Sequence, residues 1–258
     1  MAVVTFSKSG AVGQITLDRP PANSYEIEFM RELDAAIGAA NGDAAVKVVI
    51  LKSASEKFFS AGADIKAFLA NSTADNMAMI RFAHATLSKM AASNKVFISA
   101  INGHALGGGL EMALACDLRF AAEGSYFMGL PEVTLGLLPG NGGTQRLPRL
   151  IGANKALEMM ITGERIGPEE AHRIGLVNKL FPADQLQAET EAYAQKLAAG
   201  ATLAIGAIKR SVYDGIQMAL TDGLALERKL IEPLYNSEDA AEGFAAFAEK
   251  RAPVYKGK

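Results

Sequence analysis

Cysteine and histidine are scarce in this chain, and both scarcities restrict what it can be. One cysteine in 258 residues, Cys116, leaves no partner for an internal disulfide and suits a reducing compartment. Set in the apolar run 112–116, it reads as a small buried hydrophobe. The three histidines, His84, His104 and His172, are scattered, with no acid or cysteine at ligand spacing, so no metal site is expected. No apolar run approaches the roughly 20 residues of a membrane span, and residues 1–8 carry no charged leader, so a soluble, cytoplasmic protein with no membrane partner is expected. Neither sign of charge dominates: 26 basic residues face 28 acidic ones, and a net charge of −2 offers nucleic acid little attraction. A nucleophile elbow of the form Gly-x-Ser-x-Gly is absent, and no Gly-x-Gly-x-x-Gly follows a strand in the register of a dinucleotide fold.

What is present is an ordinary globular balance, half hydrophobic and 21% charged, in a length that supports one main core. Residues 2–7 and 12–18 are β-rich and flank Lys8-Ser9-Gly10, which reads as a hairpin. Within 26–40, Ile27, Met30, Leu33, Ala36 and Ile37 recur at helical spacing, and Asn41-Gly42 ends that helix. Strands are expected at 46–51, 96–101 and 118–122, with a helix at 75–92. This alternation implies parallel strands joined by crossover helices. From about Gly142 onward the pattern is almost wholly helical, broken at Gly163, Gly167-Pro168 and Pro182, with one β-like piece at 176–181. The expected division is a core carrying the site over 1–195 and a helical region over 196–258.

Chemistry concentrates where Asn102-Gly103-His104-Ala105-Leu106-Gly107-Gly108-Gly109-Leu110-Glu111 ends an apolar strand and opens an apolar helix. Glycines there let a backbone approach a ligand and leave the first helical N–H groups pointing outward; close helix–strand packing would use them equally well. Glu111 falls in the first turn of a helix that is apolar nearly all round. An acid complementing the helix dipole is the bland account of it. Glu132 follows Pro131 and precedes the apolar run 133–138, where a charge must be paired or used. An earlier turn, Ser60-Ala61-Gly62-Ala63-Asp64, could bring another N–H to the same place. Two donors and two carboxylates suit enolate chemistry on an acyl group, and two carboxylates meeting in one apolar pocket would raise the proton affinity of at least one, which is how a Glu can serve as general acid near neutral pH.

These motifs, in this order, resemble the crotonase (enoyl-CoA hydratase/isomerase) superfamily over essentially the full chain. Ser60 through Lys66 resembles its first oxyanion loop, Asn102 through Glu111 its second, and Pro139-Gly140-Asn141-Gly142-Gly143-Thr144-Gln145-Arg146-Leu147 its next signature turn. Thr162-Gly163-Glu164-Arg165-Ile166 and Phe247-Ala248-Glu249-Lys250-Arg251 are similar too. The resemblance implies an α/β fold, a crotonase-like ββα spiral with a C-terminal helical trimerisation region, assembled as a homotrimer or dimer of trimers. It implies that Ala63 and Gly108 form the oxyanion hole and that Glu111 and Glu132 are catalytic, with Gly140 positioning the water. CoA contacts carry over to Ala22, Asn23, Ala61, Ala63, Asp64, Ile65, Lys66, Gly108 and Lys250. The implied reaction is hydration of a 2-trans-enoyl-CoA to a 3-hydroxyacyl-CoA, with no cofactor, since CoA is part of the substrate. The rivals are a double-bond isomerase working chiefly through Glu132, and a noncatalytic acyl-CoA- or RNA-binding scaffold.

Two departures stand out. Where many relatives carry a leucine-asparagine-alanine run, this chain has Asn23-Ser24-Tyr25. Met128, with Phe127 one earlier, stands where most place an aromatic before the glycine leading to the second acid. The neighbourhood of the acyl group is therefore expected to differ.

Overall fold

Parallel strands covered on both faces need near-continuous apolar sequence, and residues 96–101 supply it. In the computed structural model, which describes residues 2–258, those six residues form a strand buried along its whole length. The elements preceding it are β1 (Val4–Ser9), β2 (Val12–Leu17), α1 (Ile27–Gly42), β3 (Val48–Ser53), β4 (Phe58–Ser60), α2 (Ile65–Ala70) and α3 (Thr73–Ala91). Then come β5 (Val96–Ile101), β6 (His104–Leu106), α4 (Gly108–Ala115), β7 (Leu118–Ala122), β8 (Met128–Gly129) and a 3₁₀ turn, Glu132–Leu135. The remainder is α5 (Gly143–Ile151), α6 (Ala153–Thr162), β9 (Arg165–Ile166), α7 (Pro168–Arg173), β10 (Lys179–Phe181), α8 (Leu186–Ala198), α9 (Thr202–Gly215), α10 (Leu220–Ile231), a second 3₁₀ turn (Glu232–Asn236) and α11 (Glu238–Glu249).

The larger sheet has the order β1-β2-β3-β5-β7-β10, antiparallel only within the first hairpin. A second sheet, β4-β6-β8-β9, is parallel from β4 to β8, and β9 closes it antiparallel. Each turn of chain gives one strand to each sheet and then helical structure: β3, β4 and α2–α3; β5, β6 and α4; β7, β8 and the 3₁₀ turn with α5. This is the expected ββα spiral. Phe29, Phe59, Phe97 and Phe120 are fully enclosed in its core, and Cys116 is buried as expected. The second sheet carried no sequence signal, because strands of two or three residues are too short to show alternation.

Helix α8 packs over β2, β3, β5 and β7, and the division expected between 195 and 196 falls inside it. Beyond it, α9 is pinned by the buried Lys209 ammonium, which donates to Met90 O at 2.7 Å, Lys95 O at 2.8 Å and Asp117 Oδ2 at 2.9 Å. Ile216, Leu220, Phe244 and Phe247 stay exposed around this helical region. Among the described residues no helix is long and apolar enough to cross a membrane.

Candidate active site

The second sheet delivers its strands to one place. At the end of β6, Gly107 takes φ +54°, a conformation that favours glycine, and its N–H donates to Gly129 O at 2.9 Å. This turn starts α4 at Gly108. A Cβ on Gly108 would lie 2.0 Å from the Tyr25 hydroxyl, so no other residue fits without displacing that ring. From the end of β4 the first loop is stitched to the segment after the hairpin: the Ala61 N–H donates to Ala22 O, the Tyr25 N–H to Gly62 O and the Asp64 N–H to Tyr25 O, each at 2.9 Å. Ala63 is thereby fixed between two bonded neighbours. The loops touch, since a Cβ on Gly62 would be 3.0 Å from Gly108 N. Among the described residues, the Ala63 and Gly108 N–H groups have no hydrogen-bond acceptor, as donors kept for a ligand oxygen must not.

Glu111 lies one turn into α4, whose residues are buried from end to end. Its Oε1 accepts from the Asn141 and Gly143 N–H groups, both at 2.7 Å, at the turn that opens α5. Burial raises the Glu111 carboxyl above the ordinary carboxylate range; those two N–H groups and the charges of Arg146 and His84 oppose the rise without cancelling it. Glu132 opens the 3₁₀ turn and approaches the same glycines, with its Oε1 3.0 Å from where a Gly107 Cβ would be. Its Oε2 is buried and has no hydrogen-bond partner among the described residues. Burial, aided by the Glu111 charge and opposed by its own backbone N–H, raises its carboxyl to about 7. The two acids therefore sit in contrasting settings: one oxygen doubly held by N–H donors, the other carboxyl able to keep its proton near neutrality.

Gly140 belongs to the turn that holds Glu111, and its carbonyl is 2.6 Å from His84 Nε2. Asn23 is turned inward: its Oδ1 accepts from the Arg19 N–H at 2.7 Å, and its Nδ2 donates to Ser53 Oγ at 2.8 Å and Phe59 O at 3.1 Å. Its contribution is to clamp the hairpin's exit against β4, with almost no surface of its own. Asp64 caps α2 and pairs with Arg19 at 3.2 Å, while Ile65 and Lys66 lie exposed on that helix. Lys250 caps α11 on the exposed C-terminal side, where α11 packs on the second 3₁₀ turn. His104 is a packing residue, its ring set among Phe58, Tyr126 and Phe127.

A model of the enoyl-CoA hydratase/isomerase family matches residues 7–258. The chain belongs to that family. A solved enoyl-CoA hydratase structure from Geobacillus kaustophilus HTA426 is 46% identical and superposes with a TM-score of 0.98, covering 100% of this chain and 98% of that one. The 2,3-dehydroadipyl-CoA hydratase of Escherichia coli K12 is 38% identical over 259 residues and the whole of both chains. A short-chain-enoyl-CoA hydratase from Clostridium acetobutylicum is 37% identical over 96% of this chain and 95% of its own. Within this family member, sequence reasoning missed the holders of Glu111. The glycine-rich turn 140–143 ahead of α5 was the available signal, because free N–H groups at a helix start suit a carboxylate. The meeting of Tyr25 with Asn141 had none, as 116 positions separate them.

The raised proton affinity of Glu132 has a measurable cost. The folded chain holds that proton to about pH 7, whereas an unfolded one releases it in the ordinary carboxylate range, so stability falls as pH rises between the two. Glu132→Gln is expected to be more stable than the parent by about 1–3 kcal/mol at about pH 8, with the gap closing below about pH 4. Urea unfolding at the two pH values checks this.

Proposed function

We propose that this protein catalyses the reversible hydration of a 2-trans-enoyl-CoA to a 3-hydroxyacyl-CoA. The observation that carries the reading is the pair of acids in opposite settings beside two free N–H donors. The Ala63 and Gly108 N–H groups hold the thioester oxygen and stabilise the charge that gathers there in the transition state. Glu111, its charged form favoured by Asn141 and Gly143, takes a proton from a water whose oxygen bonds to Cβ. As that bond forms, the Cα=Cβ electrons pass to the thioester as an enolate, and Glu132 returns a proton to Cα. Gly140 helps place the water. One water is consumed, one proton is taken and one given, and the chemistry as written needs no cofactor or metal.

The CoA moiety is assigned to the seam between the hairpin's exit and the first loop, where Ala22, Ala61, Asp64, Ile65 and Lys66 lie together, with Asn23 supporting it from within. Lys250 is placed beside CoA from a neighbouring subunit. The exposed apolar residues of α9–α11 support self-association as a homotrimer or dimer of trimers. The cytoplasm is the compartment proposed, on the buried free cysteine. Light scattering on the 27.2 kDa chain should then give the mass of three or six copies; a monomer would contradict the assembly.

Incubation with crotonyl-CoA in ¹⁸O-labelled water tests the activity. Label at the 3-hydroxyl is expected, and Glu111→Gln and Glu132→Gln should each slow its appearance by about 10²- to 10⁴-fold. Isomerisation of a 3-enoyl-CoA without label uptake would move the protein to the isomerase side of its family. CoA binding with no turnover would favour the noncatalytic reading.

A further inference from the structure

Resting on the hydratase reading of the same site, we propose that Tyr25 is a positioning residue for Glu111. Its phenol, hydrogen-bonded to the Asn141 side chain, fixes the turn whose N–H groups orient the carboxylate.

Three contacts converge on this one side chain and its backbone. The backbone N–H and C=O bond to Gly62 and Asp64, on either side of the oxyanion donor Ala63. The ring and hydroxyl lie against Gly108, the second donor, so closely that a Cβ there would overlap the oxygen. The hydroxyl accepts a hydrogen bond from Asn141 Nδ2. Asn141 in turn gives its backbone N–H to Glu111 Oε1 at 2.7 Å.

Asn141 is 4% exposed and its Oδ1 has no partner among the described residues, so the bond to Tyr25 is the side chain's one polar tether. Arg146 steadies the same residue from α5, donating to Asn141 O at 2.8 Å. Without the phenol oxygen the buried amide would have to turn toward another partner, and the adjoining N–H would move with it. The charged and titratable groups facing Glu111 are Glu132 from the 3₁₀ turn, Arg146 from α5, His84 from α3 and Tyr25 itself. Burial and the two nearby carboxylates hold the phenol proton firmly, so Tyr25 acts by placement and not as a base.

Tyr25→Phe removes one oxygen and keeps the ring and every backbone contact. In the full-length protein, kcat for crotonyl-CoA hydration is expected to fall about 10- to 100-fold, with KM changed by less than about 2-fold. The Glu111 carboxyl midpoint should move up, because the Asn141 N–H then favours the ionised form less. ¹³C NMR on side-chain-labelled glutamate, assigned with Glu111→Gln, reads that shift without any turnover. Asn141→Ala severs the same tether from the other end and should reproduce both changes, and it serves if Tyr25→Phe fails to fold. The double variant should be no slower than the slower single one. Parental kcat together with an unmoved midpoint in a folded single variant, or fully additive losses, would overturn the proposal. Should the parent itself not hydrate crotonyl-CoA, the hydratase reading falls, and the NMR shift alone decides the role of Tyr25.

Discussion

A carboxylate enclosed in an apolar helix is tolerable only if something replaces the water it has lost, and here the replacement is the pair of N–H groups of Asn141 and Gly143 on Glu111 Oε1. The rest of the site is arranged around this bond pair. To supply it, the chain must run a glycine-rich turn against α4, and a Cβ on Gly143 would lie 3.0 Å from Glu111 Oε1. The start of α4 is glycine-rich for its own contacts: a Cβ on Gly108 would strike Tyr25 and one on Gly109 would strike Ser60. As the first residue of that helix, Gly108 also keeps its N–H without an internal acceptor. A held carboxylate, a close backbone approach and a free N–H donor therefore lie within a few residues of each other.

Glu132 represents the opposite solution. It has no comparable set of donors and its Oε2 stays unpartnered among the described residues; burial raises the proton affinity of both acids, and that of Glu132 reaches about 7. Two acids made unlike by their surroundings can pass a proton in and a proton out in one cycle, which two equivalent carboxylates would do poorly. The raised proton affinity of Glu132 works against stability above about pH 7, and the enclosed phenylalanines of the core work in the opposite direction.

Much of this was legible in the sequence because it was periodic or local. Strand 96–101 and strand 118–122 fall where their apolar runs placed them, and α1 and α3 begin and end within two residues of the expected bounds. The burial of Glu111 followed from an apolar helix with one acid. The second sheet was hidden because β4, β6, β8 and β9 have two or three residues each. Contacts between distant segments were hidden for a different reason. Nothing in Asn23-Ser24-Tyr25 says that its phenol meets Asn141, and nothing in Asn23 says that its amide will be spent on Ser53 and Phe59. Such pairings are set by how the turns of the spiral stack, which no short window of sequence contains.

The central claim is that the two glutamates hold one proton between them on the acid side of neutrality, Glu132 keeping it up to about pH 7 beside a Glu111 whose charged form two N–H donors favour. The most direct measurement is the pH dependence of kcat/KM for an enoyl-CoA, followed in both hydration and dehydration. Since the pair holds one proton on either side of the reaction, both directions should give the same bell-shaped profile, falling on the alkaline side with a midpoint of about 7. A rate that stays level through that range, or that climbs as the last carboxyl proton is lost, would contradict it.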